Sequence, residues 1–282
     1  MKSKDQQAII SWFEENKRDL PWRKTNPWGV MVSEYMLQQT PVNRVLPKWI
    51  EWMQRWPSPE DLAAAKKSEV ITAWGRLGYP RRALRLHEAA QIIAKEHKNQ
   101  VPREMEKLRA LPGVGDYTAA AIASFAFNET ALVMDINIRR LFSRAIDGVQ
   151  HPSPSPSQYE RKIRAELLPT NGALWAAATM ELGALICTSK NPTCNQCPLQ
   201  KSCAWKKAGF PESETKPKTQ AWHGTDRQCR GTIVQALRES PKLSKNKINE
   251  LWDDAGQIEK ALKTLLADGL IETTGKSYKL AD

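Results

Sequence analysis

Cys187, Cys194, Cys197 and Cys203 are spaced C-x6-C-x2-C-x5-C, four thiols within seventeen residues. Thiolates so close in the chain can wrap one metal centre without help from the rest of the fold. Zinc accepts four cysteines, usually as two separated C-x2-C knuckles. A [4Fe–4S] cube tolerates one close pair flanked by wider gaps, because its corners lie further apart. With a single C-x2-C present, the order of expectation is an iron–sulfur cluster, then zinc, then two disulfides. Context disfavours the disulfides. The amino terminus MKSKDQQAIISWFEENK carries charges where a signal peptide needs an apolar core, and no apolar run approaches membrane-spanning length. The expectation is a soluble protein of a reducing cytoplasm, with no membrane partner, in which clustered cysteines hold metal. Cys229 stands apart and reads as a free thiol.

A second pattern is Leu111-Pro112-Gly113-Val114-Gly115 between two helical runs. Glycines one residue apart make a tight turn, and its backbone N–H groups, with the following helix N-terminus, can hold a phosphate. Nineteen residues separate Gly115 from Asp135, which precedes Ile136-Asn137-Ile138-Arg139-Arg140. By residue pattern alone Asp135 is an N-cap to a helix beginning at Ile136, and Glu34 is a charge on a solvated helix face. Lys and Arg number 42 against 31 Asp and Glu, a net charge of +11 that favours a polyanion partner.

The elements that must position these groups are helical. Apolar residues recur three and four apart over Ile9–Trp12, Met31–Gln39, Val45–Trp56, Leu62–Leu77, Leu84–His97, Tyr117–Phe127, Ile136–Ile146 and Gln158–Leu168. Ser58-Pro59-Glu60-Asp61 is a helix start signal. His151–Ser157 reads as a loop and Phe210–Gln220 as a linker, and no strand is expected before residue 269. Beyond the linker, amphipathic segments Arg230–Ser240, Asn246–Trp252 and Gln257–Ala267 precede a hairpin over Gly269–Leu280, the winged-helix order. Such a module either contacts DNA or a partner, or simply packs on the body.

LPGVG, the gap to Asp135 and the cysteine run together resemble the helix-hairpin-helix DNA glycosylase superfamily. Within it, LPWR at Leu20–Arg23, SEYMLQQT at Ser33–Thr40, WGRLGY at Trp74–Tyr79 and MELGALIC at Met180–Cys187 resemble the MutY-type adenine glycosylases, from about Trp12 to Trp205. The resemblance implies a monomeric enzyme that binds double-stranded DNA and removes adenine opposite 8-oxoguanine or guanine, in the nucleoid of a bacterial cytoplasm. It implies that Glu34 is the general acid at adenine N7 and Asp135 the carboxylate that stabilises the oxocarbenium-like sugar. Tyr117 and Asn137 resemble the groups that orient Asp135. Tyr117 also stands where the endonuclease III branch carries a lysine that forms an imine, so a monofunctional enzyme is implied. The cluster is implied to be [4Fe–4S], with a structural role in shaping the loop Thr188–Thr193 so that Lys190 faces DNA.

Further contacts carried over are Arg18, Trp22 and Arg23 at the adenine pocket, Gln39 with Thr40 as a wedge beside 8-oxoguanine, and Leu77 and Tyr79 as an intercalating loop. Gly113, Val114 and Gly115 form the DNA hairpin, and Arg81, Arg82, Arg139, Arg140 and Lys190 are candidate phosphate contacts. The implied fold is a mainly α, two-lobed body with DNA in its cleft. It comprises a six-helix barrel with the hairpin over 29–130, a cluster domain from 1–28 and 131–209, a linker over 210–228 and a winged-helix-like module over 229–282. Three departures are visible. Only 79 residues follow Cys203, too few for a NUDIX-like domain; Pro80 replaces a second tyrosine, and Ala177 an acidic or amide residue near adenine. Two rival readings are a thymine glycosylase acting on T·G mismatches and a non-enzymatic iron–sulfur DNA sensor.

Overall fold

The structure is a computed structural model that describes residues 1–213 and 222–282. It is mainly helical, and its chain divides into two compact units. Residues 214–221 of the expected linker lie outside the described residues. The helix Asp226–Glu239 begins within the remainder of that linker, capped by Thr225, whose side chain accepts from Gln228 N.

The first unit comprises Met1–Val30, Arg103–Arg109 and 114–213. Its centre is the helix Gly172–Leu185, absent from the periodic runs because it is apolar on nearly every side rather than on one stripe. The helices Ser3–Asn16, Asp116–Phe127 and Ile136–Phe142 pack against it. Ile9, Phe13, Ala120, Ala121, Ile138, Leu141, Phe142, Trp175 and Leu182 form the shared core. Asp116–Phe127, expected with the barrel, therefore belongs to the unit that carries the cysteines. The run Ile136–Ile146 proceeds as helix to Phe142 and then as a π turn over Ser143–Asp147.

The second unit comprises Met31–Pro102, Ala110–Gly113 and 222–282. The single helix expected over Leu62–Leu77 is broken into Pro59–Ala63, Lys67–Trp74 and a 3-10 turn Gly75–Leu77. Gly75 adopts φ +55, a left-handed conformation that ends the helix. Trp52 packs edge-on against Trp56 and Trp74, with ring centroids 4.8 and 5.5 Å away, so most tryptophans serve the core as expected.

The C-terminal residues follow the winged-helix order with one addition. A two-residue strand Leu243–Ser244, too short to register as alternation, pairs antiparallel with Ser277–Leu280, which in turn pairs with Ile271–Thr274. This module shares a core with the helices before it. Cys229, Ile233, Val234, Leu237, Ile248 and Leu265 cluster with Ile71 and Leu84. Cys229 is a buried free thiol, as its isolation implied.

Candidate active site and cysteine cavity

Glu34 lies on the helix Pro27–Leu37, where Val30, Met31, Val32, Tyr35 and Met36 are all buried. The carboxyl is itself buried, at 5% exposure, and so differs from the solvated helix-face charge that residue pattern alone indicated. The turn after this helix is held by Arg82. Its guanidinium donates to the carbonyls of Tyr35 at 2.9 Å, Met36 at 3.2 Å, Leu77 at 3.2 Å and Gly78 at 3.0 Å, to Thr40 Oγ1 at 3.0 Å, and to the Gln38 carbonyl. Arg82 thus caps the last carbonyls of the Glu34 helix and ties them to the loop before Tyr79. Burial lowers its pKa to about 10. It is no phosphate contact, and Arg81 is paired with Asp268 at 3.3 Å.

Of the expected wedge and loop, Gln39 is exposed with φ +54, whereas Thr40 is buried and donates to the Leu77 carbonyl at 3.1 Å. Of the expected intercalating loop, Leu77 is also buried, while Tyr79 is exposed. Gly113 adopts φ +84, and a Cβ there would lie 2.9 Å from Tyr35 Cε1 and 3.1 Å from Arg85 Cβ. Only glycine fits this turn. The Tyr35 hydroxyl donates to the Pro112 carbonyl, and burial raises the phenol pKa. Val114 is buried, and Gly115 is the N-cap of Asp116–Phe127 without any side-chain cap. Arg109 and Arg161 lie 3.1 and 3.8 Å from Asp116 in the first turn.

Asp135 is the N-cap of Ile136–Phe142. Its Oδ1 accepts from Ile138 N at 2.7 Å and its Oδ2 from Asn137 Nδ2 at 2.7 Å. Asn137 Oδ1 accepts from Arg140 Nη2 at 2.9 Å, and Arg140 also donates to the carbonyls of Gly183 at 2.6 Å and Cys187 at 2.7 Å. One buried guanidinium therefore links the carboxylate's partner to a cysteine of the loop. Burial raises the Asp135 pKa, outweighing the bonds from Ile138 and Asn137 and the charge of Arg140. Those bonds favour the ionised carboxylate but only moderate the effect of burial. Tyr117 is partly buried against the same core. Glu34 belongs to the second unit, and Asp135, Asn137 and Tyr117 to the first.

Two further phosphate candidates are occupied inside the first unit. Arg140 is bound as described, and Arg139 makes a two-pronged pair with Glu160 at 2.9 Å for both bonds, with Ser153 as a third partner. Arg18 and Arg23, expected at the adenine pocket, converge on Glu181. Arg18 donates through Nε at 2.9 Å and Nη2 at 2.7 Å, and Arg23 through Nη2 at 3.0 Å. Burial alone would raise the Glu181 carboxyl, but the Arg18 bonds and the Arg23 charge hold it below the usual range. Trp22 is buried beside them in sequence. Glu181 had no assigned role, although it lies within the MELGALIC motif.

None of the five cysteines is in a disulfide. Cys187, Cys194, Cys197 and Cys203 all line one cavity, walled by Leu141, Ile186, Leu199 and Trp205. Among the described residues, no three His, Cys, Asp or Glu side chains converge as a single bound ion requires. Burial pushes the Cys197 thiol up to about 12, so this thiol ionises readily only beside an electropositive centre. Arg144 is the support that sequence reasoning missed, for it carries no motif. Its guanidinium donates to the carbonyls of Thr188 at 2.7 Å and Ser189 at 3.2 Å, approaches Cys187 Sγ at 3.5 Å and stacks 4.6 Å from the Trp205 ring. Lys190 is exposed on the loop these bonds shape.

The family described as HhH-GPD superfamily base excision DNA repair protein matches residues 32–169. An adenine DNA glycosylase of Mycolicibacterium smegmatis is 45% identical over 272 residues, covering 94% of this chain and 92% of its own. A thermostable thymine-DNA glycosylase structure aligns with TM-score 0.64 and 26% identity, over 72% of this chain and 95% of that one. A trapped endonuclease III–DNA covalent intermediate shares the fold at TM-score 0.63 and 20% identity, over 75% of this chain and 100% of that one. Identity at that level across nearly the full length fixes the relationship, and the chain belongs to the adenine DNA glycosylases of the HhH-GPD superfamily.

Proposed function

We propose that the protein excises adenine mispaired with 8-oxoguanine or guanine in double-stranded DNA, by hydrolysis of the N-glycosidic bond. The near full-length identity to an adenine DNA glycosylase carries this reading. Departure of the base develops positive charge on the sugar and negative charge on adenine, so one carboxyl must give a proton and another must stay ionised. Adenine must leave the stack for either to reach it. Glu34, buried on its helix, is the acid that protonates N7. Asp135, held by Ile138 N and Asn137, faces the cationic sugar and water completes the hydrolysis. Tyr117 offers no amine, so the abasic product is released without strand cleavage.

Cys187, Cys194, Cys197 and Cys203 would hold a [4Fe–4S] cluster, which supplies a structural anchor for the loop bearing Lys190. The protein acts as a monomer on the nucleoid in the cytoplasm; no helix among the described residues is long and apolar enough to cross a membrane.

The test is single-turnover base release from duplexes carrying A opposite 8-oxoguanine, A opposite G, A opposite T, and T opposite G, with and without alkali. Breaks only after alkali, fastest for A opposite 8-oxoguanine and lost in Glu34→Gln while DNA binding persists, are the expected result. Breaks without alkali, or a borohydride-trapped complex, would refute the monofunctional assignment. The likeness to a thymine-DNA glycosylase structure favours T opposite G as the second reading, which fast release from that duplex would establish.

A further inference from the structure

Tyr79 and Trp222 are large aromatic residues kept in water, 41% and 47% exposed, and Trp222 is the only exposed tryptophan among the described residues. Tyr79 has φ +47, strained for a bulky side chain. Strain of this kind persists where the surroundings over-determine it, and it concentrates at binding sites. Here Trp74 Nε1 and Arg82 both donate to the Gly78 carbonyl, at 2.9 and 3.0 Å, and fix the backbone just before Tyr79.

Arg227 joins the two rings. Its guanidinium lies 4.9 Å from the Trp222 centroid and 5.8 Å from that of Tyr79, and its Nη1 donates to the Tyr79 hydroxyl at 2.9 Å. The Arg82 guanidinium lies 5.7 Å from the same Tyr79 ring. The helix Asp226–Glu239, which carries Arg227 and closely follows Trp222, is fastened to the helices beside this loop. Asp268 takes Arg230 at 2.6 Å and Arg81 at 3.3 Å, and Arg238 Nε donates to the Ile71 carbonyl at 3.1 Å. Through the bonds of Arg82 to Tyr35 and Met36, the cluster is also tied to the end of the helix bearing Glu34.

We propose that Tyr79, Arg227 and Trp222 form a stacking platform for an unstacked nucleobase of the bound duplex, so that the C-terminal module takes part in DNA binding. Exposed aromatic faces with an interleaved guanidinium match the π-face of a base and the adjacent phosphate. Flipping one base leaves its partner unpaired, which supplies such a base. The proposal rests on the DNA glycosylase reading.

The test is affinity for a duplex with a tetrahydrofuran abasic analogue opposite guanine, which leaves an unpaired base and permits no turnover. Trp222→Ala is expected to weaken binding about tenfold. The slope of log affinity against log salt should not change, since no charge is lost. Trp222→Phe should restore binding and Trp222→Leu, of comparable apolar bulk, should not. Wild-type affinity in Trp222→Ala, or in Trp222→Leu with unchanged melting temperature, overturns the platform and leaves the cluster as an internal fastener. Base release by the wild-type protein from an A opposite G duplex tests the glycosylase reading separately, so either can fail alone.

Discussion

Gly183→Ala isolates the support of Asp135 from Asp135 itself. Gly183 is where the helix Gly172–Leu185 meets the Asp135 helix, and an added Cβ would lie 2.6 Å from the Asn137 carbonyl oxygen, 2.8 Å from its carbon and 2.9 Å from Asn137 Cβ. Two of those atoms are backbone, so no rotamer change relieves the clash. Restoring a 3.4 Å contact moves the Asn137 peptide by about 0.8 Å. The 2.7 Å bond from Asn137 Nδ2 to Asp135 would open to about 3.5 Å, too long for a hydrogen bond. Loss of a bond to a carboxylate costs about 1.5–3 kcal/mol, which is about 10–100-fold in rate if it is made in the transition state. Overpacking costs about 1–3 kcal/mol and is offset by about 1 kcal/mol from alanine's helix propensity, so the melting temperature should fall by only a few degrees. Single-turnover base release at saturating enzyme, alongside a thermal melt, reads both effects. Base release within about twofold of wild type would refute the argument that Asn137 positions the carboxylate.

Three other perturbations follow from the same geometry. Arg82→Met removes a donor from five carbonyls, of which those of Tyr35, Met36 and Leu77 are buried, and from Thr40, at about 1–3 kcal/mol for each that water cannot reach. Urea denaturation should show a loss above about 4 kcal/mol, and a loss under about 1 kcal/mol would contradict the capping role. Asp135→Asn should abolish base release yet raise the melting temperature at neutral pH. The folded-state pKa of Asp135 is raised, so its contribution to stability is full below the unfolded pKa and is lost as pH rises through the folded one. The advantage of the variant should therefore shrink on acidification, and a pH-independent difference would count against it. Cys197→Ser should lose bound iron and sulfide and loosen the loop Thr188–Thr193. A variant with full iron content, or one that loses iron yet melts and binds DNA as wild type does, would remove the cluster's proposed structural role.

What was legible in the sequence was local chemistry joined to spacing. The winged-helix order, the N-cap at Asp135, the hairpin glycines and the core role of the tryptophans could be read because each depends on a few neighbouring residues. What was not legible depends on partners far along the chain. Arg18 meets Glu181 across 163 residues, and Arg144 meets Thr188 across 44. The helix Gly172–Leu185 lacked a stripe because it is buried on nearly every side, and the break near residue 65 lacked a proline or glycine to mark it. Motif resemblance located the candidate residues, but it did not distinguish Tyr79, which is exposed, from Leu77, which is buried two residues away.

The arginines also limit what net charge can say. An excess of +11 favours a polyanion at long range, yet Arg82, Arg139, Arg140, Arg144 and Arg164 are all buried. Arg139 and Arg164 are paired with Glu160 and Asp147, so they add nothing to the excess. Arg82, Arg140 and Arg144 bind mainly carbonyls, so their charge persists in the field although their donors are spent. Arginine suits this work because one planar fork satisfies several carbonyls at once. The long-range attraction and the DNA contacts must therefore be assigned to different residues. Replacing a buried arginine should unfold its lobe before it changes affinity, whereas exposed Lys190 and the Trp222 cluster can alter affinity with the fold intact.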